Sequence, residues 1–150
     1  MVLHTICELI YDKVTTMDKQ NITGQIHNAM YQNIKNKGYA TPVDVLMDIG
    51  VLSKKHYEDW RFGKVDFLER VCQANLRKLS DIMKEIRVYA AKNNLKPSWT
   101  CYHQWGKQKD RRLQFSKSKD EKIEQNYATH FVDVEMLERL KNPSETQPEE

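Results

Sequence analysis

Cysteine is scarce in this chain, and what there is does not pair. Cys7, Cys72 and Cys101 are the only three among 150 residues. An odd number at wide spacing argues against a disulfide framework and fits a reducing cytoplasm. Long apolar runs are missing too, and none approaches the roughly 20 residues that span a bilayer. The opening MVLHTICELIYDKV is interrupted by His4, Glu8 and Asp12. It lacks the charged head, apolar middle and small-residue cleavage site of a signal peptide, so the Asn21-Ile22-Thr23 sequon reads as accidental. There is no P-loop, no GxGxxG and no GxSxG. The close ligand pairs that mark zinc sites, CxxC or HxxxH, are absent, so no metal and no cofactor is expected. No internal repeat is visible.

What is present describes a globular protein. Apolar residues make up 39% and charged residues 30% of the chain, enough for one domain with a core. The net charge of +3 hides a polarity. Residues 1–83 carry 11 Lys and Arg against 10 Asp and Glu, residues 84–122 carry 11 against 4, and residues 123–150 carry 2 against 7. A basic block (net +7) ahead of an acidic end (net −5) suggests an anionic partner and a tail able to shield the basic face. The plainer reading is that the lysines solvate exposed faces.

Periodicity predicts helices first. Residues 2–16 align Leu3, Ile6, Cys7, Ile10 and Val14, and residues 20–36 align Ile22, Ile26, Met30 and Ile34. Gly38 suits a helix C-terminus. Thr41, Pro42 and Asp44 then read as cap, first turn and dipole partner of a helix buried through Val45, Leu46 and Ile49. Gly50 ends it, Ser53 caps a short helix over 54–62, and Gly63 closes that one. Two short helices across a tight, Gly-containing apolar turn are a helix-turn-helix pattern. Residues 65–93 predict one long helix, the spine of the core, stopped by Asn93, Asn94 and Pro97. A final helix is expected over 119–129. The domain is read as residues 1–132, with 1–18 a detachable helix and 133–150 an acidic, partly disordered tail.

Between the last two helices the period changes to two. Trp99, Cys101, His103 and Trp105 alternate with Thr100, Tyr102 and Gln104. A polar turn follows at 106–110, and Leu113 and Phe115 resume the alternation. This predicts a β-hairpin whose Trp99, Trp105 and Phe115 face packs on the helices, leaving Tyr102, Arg112 and Gln114 outside. The expected fold is mainly α, with five or six helices, a helix-turn-helix-like pair and one C-terminal hairpin, a partial likeness to a winged helix.

Two stretches, TPVDVLMDIGVLSKKHYEDWRFGKVDFLERV and LKPSWTCYHQW with LQFSKS and YATHFV, resemble a group of short uncharacterised bacterial proteins. The resemblance covers about residues 40–132. It implies that this stretch is a unit and brings no activity, cofactor or site.

The candidate chemistry is binding. Lys54 and Lys55 open the second helix of the pair, where backbone donors also favour phosphate, and Arg61 ends it. Lys107, Lys109, Arg111 and Arg112 form the basic turn, and Lys117 and Lys119 extend it. Tyr102 is the aromatic expected outside for base stacking. These ten residues point to a small non-enzymatic protein that meets DNA or RNA phosphates, with little sequence information in the contacts. Glu58 and Asp59 would repel phosphate at mid-helix. The alternative is a protein-interaction module, or a homodimer, that uses the N-terminal or the long helix. Catalysis has thinner support: Cys101 and His103 share an apolar strand face, and Asp110, Asp120, Glu121 and Glu124 read as caps and solvation before they read as a nuclease metal site.

Overall fold

The structure, a computed structural model, describes residues 21–142. The helix expected over 2–16 and the end of the tail lie outside the described residues. Residues 21–37 form α1, followed by β1 (Tyr39–Ala40), α2 (Pro42–Asp48) and α3 (Lys54–Arg61). A 3-10 turn (Leu68–Val71) leads to α4 (Leu76–Lys92), β2 (Lys96–Trp99), α5 (Glu121–Ala128), β3 (Thr129–Val132) and α6 (Val134–Lys141). Among the described residues the fold is therefore mainly α, as the periodicity predicts. Its small sheet is antiparallel, in the order β1-β3-β2, with Ala40 and Pro97 both opposite Phe131.

The local signals act where they were read. The Thr41 hydroxyl accepts from the Asp44 amide at 3.0 Å, and Ser53 accepts from His56 at 3.1 Å. Ile26 and Met30 of α1 are fully buried, as are Val45 and Leu46 of α2. Gly38 has φ +80, and a Cβ there would come within 2.7 Å of the Leu137 Cα. Only glycine lets α6 approach the end of α1 this closely. The Asp133 amide also donates to the Gly38 carbonyl at 2.9 Å. The acidic segment read as the start of a tail thus carries a helix seated on the domain through residue 141.

Two expected elements are built differently. The single helix over 65–93 is a 3-10 turn, an extended break at Cys72 and a 17-residue α4. The break has a cause. Asn75 caps α4 anew by accepting from Lys78 at 2.8 Å, while the Gln73 amide is drawn to the Val51 carbonyl at 2.8 Å. Leu79, Ile82, Met83, Ile86 and Ala90 still form the buried stripe.

The hairpin is reduced to one bridge, His103 to Arg112. Only Trp99 of its first half is in a strand, as the last residue of β2, which pairs with β3. Its second half spends its backbone groups elsewhere. The Gln114 and Phe115 carbonyls accept from Leu68 and Glu69 at 3.2 and 2.9 Å. The Phe115 and Ser116 amides donate to the Glu124 carboxylate at 2.9 and 2.7 Å, and Lys117 donates to Glu69 at 3.0 Å. Once those groups are satisfied, a long ladder to residues 99–105 has nothing left to bond.

Candidate nucleic-acid interface

The burial of this segment inverts the expected faces. Tyr102 is only 8% exposed, whereas Trp99 is 52% and Trp105 37% exposed. Tyr102 is therefore not an outward stacking platform. Its ring packs edge-on against Phe115 and beside Trp60, and its hydroxyl lies 3.1 Å from Nε2 of His130. Burial drives its phenol well above the ordinary value. Leu113 and Phe115 are buried as expected. Trp99 comes out because β2 is an edge strand, all four of its residues exposed.

Each surface tryptophan carries an arginine. The Arg112 guanidinium lies over the Trp99 ring at 4.9 Å, and that of Arg61 over the Trp105 ring at 4.6 Å. Such contacts contribute about 0.5–1 kcal/mol each at exposed sites and hold the cation in place. Lys119, in the left-handed region at φ +60, lines the same shallow surface as Trp99 and Arg112. Phe62, 48% exposed, meets Trp105 edge-on at 5.5 Å.

The basic loop runs on from Trp105 to Arg112. Lys107, Lys109 and Arg111 are exposed on it. The turn is closed by the Arg111 amide on the Gln108 carbonyl at 3.1 Å, and Arg111 reaches Gln104 Oε1 at 3.3 Å. The loop is docked on α3 by the Trp105 amide, which donates to the Arg61 carbonyl at 2.7 Å. Gly63, at φ +77, leaves the space that the Gln104 side chain occupies.

The remaining expected residues scatter around this centre. Lys54 and Lys55 are exposed at the far end of α3, about 10 Å from the docked loop by helix rise. Lys117 faces another groove, between α4 and α5. No protein-family model, curated protein or solved structure matches the chain. Among the described residues no group of three or more His, Cys, Asp or Glu is placed to hold a metal, and no helix is long and apolar enough to cross a membrane. Asp120 caps α5, and Glu124 is engaged by residues 115–116. Burial pushes the Cys72 thiol up to about 12, which leaves it unreactive near neutrality.

Trp99 and Trp105 are the binding candidates that alternation placed on the packed face, and Phe62 was not singled out at all. One signal was available: Pro97 within a strand marks an edge, and edge strands expose their neighbours.

Proposed function

We propose that the protein binds unpaired DNA or RNA through the surface that runs from Trp99 and Arg112, over the 106–111 loop, to Trp105, Phe62 and Arg61. One observation carries the reading: two exposed tryptophans, each with an arginine over its ring, precede a loop of three exposed cations that runs from Trp105 to Arg112. Aromatic faces accept any base and cations track the backbone, which is how strands are held without sequence preference. Unpaired strands are favoured over duplex because stacking on a tryptophan needs a free base face. Lys119 extends the surface, and Lys54 and Lys55 add charge at its margin. The free thiols of Cys72 and Cys101 suit a cytoplasmic setting.

Titration of short mixed-sequence strands at several salt concentrations tests this. Affinity is expected to fall as salt rises. Replacing Lys107, Lys109 and Arg111 together by alanine should lower the slope of log affinity against log salt by about 2, since a single strand releases about 0.7 counterion per contact. Absence of binding to any strand at low salt overturns the proposal.

A further inference from the structure

Behind Arg61 lies a second feature, a cavity of about 440 Å³ between β1, α2, α3 and the segment after β2. Its size falls within the range of small-ligand pockets. Its wall is charged and hydroxylated rather than apolar. Lys37 donates to Asp44 at 2.7 Å and also lies 5.1 Å from the centre of the Tyr39 ring. Tyr57, Tyr102 and His130 complete the polar lining. Asp44 and Lys37 offset each other, and burial keeps His130 below its ordinary value, hence neutral near pH 7.

That leaves Arg61 as the cation without a counter-ion. None of the ion pairs among the described residues includes it. Its guanidinium lies over the rings of Tyr102 and Trp105 at 5.1 and 4.6 Å. Those contacts use its charge and fix its plane, while the Tyr57 hydroxyl beside it takes up part of its donor capacity. The Nε atom is buried and has no hydrogen-bond partner among the described residues. A guanidinium without a counter-ion, held by two rings and lining a cavity, is suited to a planar or tetrahedral oxyanion.

We propose that this cavity binds a phosphomonoester, with the phosphate on Arg61 and the organic part against Tyr39 and Tyr57. The phosphate has two possible sources, a free nucleoside monophosphate or the terminal phosphate of a strand. Only the second rests on the strand-binding reading above.

Calorimetric titration of the whole chain separates these cases. The probes are inorganic phosphate, a nucleoside monophosphate, its unphosphorylated nucleoside, and strands with and without a terminal phosphate. The monophosphate should bind saturably and at least about tenfold tighter than the nucleoside, the worth of a charged hydrogen-bonded contact. Arg61→Lys should remove most of that gap. Lys37→Gln, distant from the Trp105 stack, should weaken binding by a smaller factor and guards against a folding defect in the first variant. A gain from the terminal phosphate that Arg61→Lys removes and Lys37→Gln reduces identifies the strand end as ligand, and no such gain identifies the free monophosphate. Failure of every phosphorylated probe to outbind its unphosphorylated partner overturns the cavity site, as does unchanged monophosphate binding in both variants. Binding of unphosphorylated strands would survive that failure and leave the strand-binding reading standing.

Discussion

Trp60 and Trp99 lie at opposite extremes of the same molecule. Trp60 is fully buried and Trp99 is 52% exposed. Around Trp60 the aromatics pack on one another: Phe115 at 5.1 Å, Tyr102 at 5.6 Å, and Phe115 stacked on Tyr127 at 5.5 Å. Their polar tips are satisfied from within. The Trp60 Nε1 donates to the Gln114 carbonyl at 2.8 Å, and the Tyr127 hydroxyl donates to Glu69 at 2.9 Å. Around Trp99 and Trp105 the partners include arginines. The buried tips find acceptors within the fold, whereas the exposed rings of Trp99 and Trp105 carry arginines.

Exchange of the two residues for alanine tests that division most strongly. Trp60→Ala should lower the unfolding free energy by about 3–5 kcal/mol, the usual cost of emptying a large core site. Trp99→Ala should lower it by about 1 kcal/mol or less, yet weaken strand binding by about 1–3 kcal/mol. Denaturant unfolding and strand titration of both variants give the two numbers. Equal destabilisation would erase the distinction between inner and outer aromatics, and unchanged strand binding in Trp99→Ala would remove the tryptophan from the interface.

The base of the basic loop links the two regions and gives a smaller effect. Glu124 accepts from the Phe115 amide, the Ser116 amide and the Ser116 hydroxyl, the last at 2.6 Å. Glu124→Ala leaves those donors without their acceptor beside the core. The expected cost is about 1–3 kcal/mol, with faster amide exchange at Phe115 and Ser116. If exchange there is unchanged, the carboxylate is not what holds the segment.

The helices were legible in the sequence for a simple reason. Caps, glycines and the 3.6-residue stripe are local, and Thr41, Ser53 and Gly63 act on residues a few places away. The break before α4 was not, because it depends on Gln73 reaching Val51, some twenty residues back. The hairpin failed for the same reason. Alternation over 99–115 states which residues share a face, but not which face is covered. Glu69, Glu124 and β3 decide that, and all three lie outside the segment. The candidate interface was half legible. The basic loop stood out by composition, whereas the exposure of Trp99 follows from β2 lying at the sheet edge. Lys37 and His130, which line the cavity, carry no motif at all.

His130 sits where the two regions meet and supplies the smallest effect. It stacks near Tyr39 at 6.1 Å and meets the Tyr102 ring edge-on at 5.7 Å. Burial is the main cause that holds its imidazole below the ordinary 6.5, with Lys37 acting in the same direction and Asp44 against it. The unfolded chain therefore takes up a proton at a pH where the folded one still resists. Stability is fully present above about pH 6.5 and declines as the pH falls below it. His130→Gln removes the titrating group, so its thermal midpoint should fall less than the wild-type midpoint between about pH 7 and pH 5. The inner region would then lose stability through this one edge residue, while the outer arginine–tryptophan pairs keep their charge throughout. A wild-type midpoint that is flat across the same range would mean that His130 reaches solvent freely and belongs with the outer region.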